Sequence, residues 1–121
     1  MTFDAFHEFV HSLPDVTEGT PFGPNVLVFK VGGKMFALIG LDEVEPYVNL
    51  KCDPERAVEL REEYLNVRPG YHMNKTHWNS VDLRGDVPGA LIRELIVHSW
   101  ELVVGSLPRK ERDRIEVLRD A

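Results

Sequence analysis

The chain has a single cysteine, Cys52, among 121 residues. One thiol cannot close an intrachain disulfide, and nothing in its use points to an oxidising compartment. Long apolar runs are missing as well. Charged residues interrupt the hydrophobic stretches every few positions, so no segment offers the roughly 20 apolar residues of a membrane-spanning helix. The opening residues, Met1-Thr2-Phe3-Asp4-Ala5-Phe6-His7-Glu8, lack a basic region ahead of an apolar core and read as a helix start rather than a signal peptide. A cytoplasmic protein without membrane contact is therefore expected. Positive charge is scarce: 14 Lys and Arg stand against 20 Asp and Glu, for a net charge of −6. That balance opposes bulk attraction to nucleic acid, because phosphate neutralisation needs local cations. The glycines build no phosphate-cradling loop ahead of a helix. No catalytic, metal or cofactor motif stands out.

What is present describes one globular domain over 1–121. The chain is 43% hydrophobic and 28% charged, an ordinary globular mixture. Its length is close to the commonest domain size. There is no repeat, linker or low-complexity tract. Charge is unevenly placed: residues 40–63 hold eight carboxylates against three cations, whereas residues 67–85 hold Arg68, Lys75 and Arg84 against Asp82 alone, with His72 and His77 in reserve.

Periodicity predicts the elements. Phe3, Phe6, Val10 and Leu13 share a helical stripe, Thr2 can cap it and Pro14 stops it. A short strand is expected near 16–20. Val26–Val31 and Lys34–Ile39 form a hairpin about Gly32-Gly33, since glycine tolerates the positive φ of such turns. Tyr47–Lys51 alternates as a half-buried strand. Asp53 and Pro54 open a second helix whose apolar side is Ala57, Val58, Leu60, Tyr64 and Leu65. A loop from 71 leads to a strand at about 78–83. A third helix over 88–104 has a broad apolar stripe that marks it as central to the core. Gly105 ends it, and a charge-laced helix runs to about Leu118. The order predicts an α+β fold: an antiparallel sheet with helices packed on one face.

Candidate chemistry is thin. His7 and His11 lie four apart on the first helix, a spacing able to place two imidazoles on one metal. Solvent-facing polar residues explain the pair equally well, and no third ligand is visible. Cys52 sits before a helix N-terminus, but no base is assignable to it, so a packed small side chain is the simpler account. The acidic residues at 42–45 and 53–63 lack the spacing of a calcium loop. Tyr71-His72-Met73-Asn74-Lys75-Thr76-His77-Trp78 is different. Two aromatics, two histidines, an amide and a lysine follow the Pro69-Gly70 bend. Such groups stack on bases and donate to phosphate. They also build polar corners inside folds.

The stretch Pro69-Gly70-Tyr71-His72-Met73-Asn74-Lys75-Thr76-His77-Trp78-Asn79-Ser80-Val81 resembles the signature of the MmcQ/YjbR family of small bacterial proteins. The likeness extends to Gly19-Thr20-Pro21-Phe22-Gly23, Gly32-Gly33-Lys34-Met35-Phe36-Ala37 and Ser99-Trp100-Glu101-Leu102-Val103 with Leu107-Pro108. It implies a CyaY-like (frataxin-like) fold and a non-catalytic DNA-binding or regulatory role, without catalytic residues, cofactor or metal to carry over. On that reading the DNA-contacting residues are Arg68, Tyr71, His72, Lys75, His77 and Arg84, on one exposed face of a monomer. Asn74, His77 and Trp78 also look like scaffold, which leaves Lys75 and His72 as the foremost contacts. The alternative is a protein-interaction or small-ligand module, which predicts a concave apolar patch beside the same segment. An enzyme would need His72 and His77 joined with Asn74 in a pocket.

Overall fold

A computed structural model describes residues 1–121. The elements run α1 (Phe3–His11), β1 (Val16–Gly19), β2 (Val26–Val31), β3 (Lys34–Gly40), β4 (Tyr47–Lys51), α2 (Pro54–Glu63), β5 (Val67–Pro69), β6 (Trp78–Asp82), α3 (Gly89–Gly105) and α4 (Arg109–Asp120). The strands form one sheet in the order β1-β2-β3-β4-β6-β5, with every neighbouring pair antiparallel. This is the expected α+β architecture.

Local chemistry accounts for the boundaries. Thr2 Oγ1 accepts from the Ala5 N–H at the start of α1, and Asp53 accepts from the Arg56 N–H at the start of α2. Gly32 and Gly33 take φ of 56° and 81°, which makes the β2–β3 turn as tight as the sequence predicts. Two readings are corrected. Val58 and Leu65 are 48% and 89% exposed, so α2 buries only Ala57 and Leu60. The three-residue β5, with Pro69 in it, was not foreseen because it is too short to show alternation.

The sheet has two unlike faces. Leu27, Phe29, Ala37, Ile39, Val48, Leu50 and Val81 face the helices and join the main core with Ile92, Ile96 and Trp100 of α3. A bulge in β3 shifts the register between Phe29 and Lys30, so consecutive Phe36 and Ala37 both enter this core. There Ser99 of α3 replaces the interrupted ladder: its hydroxyl donates to the Phe36 carbonyl at 2.6 Å and accepts from the Lys51 N–H at 2.9 Å. The intervening residues Val28, Leu38, Asn49, Trp78 and Ser80 turn to the other face, which carries no helix. No helix is long and apolar enough to cross a membrane.

Candidate functional site on the helix-free face

The connection from β5 to β6, residues 70–77, folds back over the helix-free face. Gly70 makes this bend because its neighbours leave no room: a Cβ there would stand 2.8 Å from the Trp78 Cβ and 2.9 Å from the Trp78 carbonyl oxygen. Its N–H donates to that carbonyl at 2.8 Å. Beyond it, both main-chain groups of Tyr71 are gripped by the sheet. The Tyr71 N–H donates to Ser80 Oγ at 2.9 Å, and Asn49 Nδ2 donates to the Tyr71 carbonyl at 3.1 Å. The Ser80 hydroxyl in turn donates to Asn49 Oδ1. His72 follows at φ 60°, a left-handed conformation that costs an L-residue roughly 1 kcal/mol. Met73 then packs on the small cluster of Val28, Leu38 and Trp78. Trp78, 9% exposed, is thus packed as scaffold on the helix-free face with Val28 and Leu38.

Between this loop and the β2–β3–β4 surface lies a pocket of about 720 Å³. Tyr71, His72 and Met73 line it from the loop, Leu38 and Asn49 from the sheet, and Phe22, Asp42 and Glu43 from the connections before β2 and after β3. Phe22 and Tyr71, 63% and 54% exposed, both bring their rings to this pocket. Tyr71 meets Tyr47 edge to face at 6.2 Å and crowds His72 at 4.0 Å between ring centroids. Burial and the Glu43 carboxylate raise the Tyr47 phenol above its ordinary value, so it is a neutral donor at physiological pH.

The six residues singled out from sequence are only partly brought together. Tyr71 and His72 line the pocket. Arg68 lies 5.3 Å above the Tyr47 ring, but its guanidinium is paired with Asp82 at 2.6 Å. The Lys75 ammonium donates to the Gly70 carbonyl at 3.2 Å. His77 and Arg84 are exposed, and Arg84 follows Leu83 beyond the end of β6. Asn74 Oδ1 accepts from the Thr76 and His77 N–H groups, so Asn74 caps the turn rather than orienting an imidazole. Cys52 is buried and its thiol is pushed up to about 11 by desolvation, which removes it as a nucleophile at neutral pH. Phe22, Asp42 and Glu43 were missed as pocket residues because they sit in connections remote in sequence from the signature, and no local pattern joins them to it.

A second cluster was half seen. His7 and His11 of α1 converge on Glu18 of β1: His7 Nε2 lies 2.6 Å from Glu18 Oε1, and His11 Nε2 meets the same oxygen. Burial pushes the Glu18 carboxyl up, but the hydrogen bonds with His11 and His7 outweigh it and hold the group below its ordinary value.

A small α+β domain with a loop-walled pocket on the open side of its sheet is thus the class defined by this geometry. Residues 11–102 match the model of the YjbR family, and the chain belongs to that family. It is 44% identical over 103 residues to protein YbdF of Escherichia coli O157:H7, covering 85% of this chain and 84% of that one. It is 32% identical over 112 residues to protein YjbR of Escherichia coli K12, covering 93% and 95%. Among solved structures, the Deinococcus radiodurans protein DR2400, with its DUF419 domain, superposes with a TM-score of 0.89 at 38% identity, over 95% of this chain and 88% of that one. A Pseudomonas syringae protein superposes with a TM-score of 0.74 at 28% identity, over 84% and 98%. YbdF and YjbR are both named as uncharacterized proteins, so they bring no activity with them.

Proposed function

We propose that this protein is a small-ligand-binding module, and that its pocket takes a compact organic cation with an aromatic or apolar body. The observation that carries this reading is the pocket of about 720 Å³, a size typical of small-molecule sites, with two exposed rings in its walls and carboxylates on its rim. Apolar walls supply the area that a ligand buries. Aromatic faces attract a cation through their quadrupole. Asp42 and Glu43 supply the opposite charge, and the neutral Tyr47 phenol supplies a hydrogen-bond donor beside them. Both main-chain groups of Tyr71 are tied to the sheet, so the wall is formed before the ligand arrives.

The DNA-binding role implied by the family resemblance draws less support from this surface. Arg68 is neutralised by Asp82, Lys75 is tied to its own loop, and carboxylates flank the ring-bearing wall. His72, His77 and Arg84 remain without ion pairs and keep that reading testable. The experiment is an amide NMR titration of the full chain with phenethylamine, phenylacetate and a short DNA duplex at about 50 mM salt. Phenethylamine is expected to shift residues 40–43, 47 and 71–73, phenylacetate to act more weakly, and Tyr71→Ala to abolish the response. Shifts from the duplex over 67–85 that vanish at higher salt, with none from the amine, would overturn the proposal.

A further inference from the structure

The histidine pair set aside in the sequence for want of a third ligand acquires one in the fold. On α1, His7 and His11 stand one turn apart, so their side chains share a face. Glu18 lies opposite Phe29 in the β1–β2 pairing, and so points to the side of the sheet that α1 covers. Because β1 is the edge strand, α1 and Glu18 meet at the rim of the domain. One ligand atom from each of the three residues lies within 4.8 Å of the others. Around a tetrahedral ion with bonds of about 2.0–2.1 Å, donors stand about 3.3 Å apart, so an entering ion would draw each imidazole off its hydrogen bond to Glu18 by a shift on the order of an ångström.

The rings are already held. His7 and His11 each meet the buried Phe29 edge-on, at 6.0 and 5.8 Å, and Phe3 stacks on His7 at 5.7 Å. Glu18 pairs with no Lys or Arg; its partners are the two imidazoles alone. All three side chains keep about a third of their surface exposed, which leaves solvent free to complete a coordination sphere.

We propose that His7, His11 and Glu18 form a binding site for a single divalent transition-metal ion of the zinc type, one that clasps helix α1 to the edge strand β1. Two imidazole nitrogens and one carboxylate oxygen are the donor set such borderline ions favour, with water in the fourth position. The intervening residues complete a His-Glu-x-x-His spacing, the pattern of helical zinc hydrolases. Glu8 takes no part in the convergence, and neither the pocket under the 70–77 loop nor the small one beside Cys52 reaches the cluster. The role is a clasp: an ion that binds only where α1 and β1 are docked stabilises the fold by mass action.

The test is Zn²⁺ competition between the full-length protein and a chromophoric chelator, together with the visible spectrum after Co²⁺ addition. One ion per chain is expected, with the intense bands of four-coordinate Co²⁺ and a melting temperature that rises with Zn²⁺. His7→Ala and His11→Ala are each expected to weaken binding at least roughly tenfold, and Glu18→Gln to weaken it too, while His77→Ala retains it. Failure to compete for the ion, or equal retention by His7→Ala and His11→Ala, overturns the proposal. Should those variants not fold, imidazole ¹⁵N NMR of the unaltered chain decides. Zn²⁺ shifting the Nε2 signals of His7 and His11 above those of His72, His77 and His98 supports the site; uniform shifts or none refute it.

Discussion

Asn49→Ala breaks the joint that holds the signature loop to the sheet. The amide donates to the Tyr71 carbonyl at 3.1 Å and accepts from the Ser80 hydroxyl. The two losses are unequal. Tyr71 is more than half exposed, so its carbonyl can turn to water and forfeits about 1 kcal/mol, the net worth of a neutral hydrogen bond. Ser80 is fully buried, and a buried hydroxyl without an acceptor costs about 1–3 kcal/mol. Together Asn49→Ala is expected to destabilise by about 2–4 kcal/mol. Equilibrium urea unfolding followed by tryptophan fluorescence measures it, with the slope m unchanged. Removing the hydroxyl as well should relieve part of the damage. The Asn49→Ala/Ser80→Ala double variant is therefore expected to cost less than the sum of the singles by about 1 kcal/mol or more. Additivity within about 0.5 kcal/mol would show that amide and hydroxyl do not form one network, and would refute the account of how the wall is held. Phenethylamine affinity is expected to fall in parallel, and the Tyr71 amide to exchange faster.

Ser99→Ala strands the Phe36 carbonyl and the Lys51 N–H and is expected to cost about 2–4 kcal/mol by urea unfolding, whereas Ser106→Ala, at an exposed helix end, stays within about 0.5 kcal/mol. Gly70→Ala places a methyl against Trp78 and is expected to cost about 1–3 kcal/mol, with amide shifts spread over 70–78. The bidentate Arg114 contacts, helped by the Gly32 N–H, hold the Asp15 carboxyl below its ordinary value. Its stabilisation is complete above about pH 4 and is lost as pH falls through the lowered folded value; Asp15→Asn is expected to flatten only that acid portion of a stability–pH curve. The Cys52 thiol, buried and pushed up to about 11, is expected to react with a disulfide reagent at pH 8 far more slowly in the folded chain than in urea, and equal rates would contradict its burial.

The sheet and its helices were legible because long elements carry their own period. The α1 stripe, the Gly32-Gly33 hairpin and the broad face of α3 each declare themselves within one segment. β5 did not, since three residues hold no period. Val58 and Leu65 misled because apolar character alone does not say which side of α2 meets the sheet. The candidate site was legible on one wall only. Tyr71 and His72 stood out by composition, whereas Asp42, Glu43 and Phe22 reach the same pocket through sheet topology that no local pattern encodes. Glu18 was hidden for the same reason: it joins the α1 histidines only once β1 becomes the edge strand beneath that helix.

The two-faced sheet also sets how the protein can change by descent. Along β4, Tyr47 and Asn49 face the pocket while Val48 and Leu50 face the helices. One residue inserted there would exchange the two sets, sending an amide into the core and a leucine into the pocket, so the strand is locked in frame. The loop at 70–77 has no such frame. It is an excursion within the β5–β6 hairpin, and lengthening it beyond Met73 leaves the strand pairing and the grip on Tyr71 in place. The pocket wall can thus be re-lined by changing a few loop residues, whereas an insertion in a central strand breaks the core.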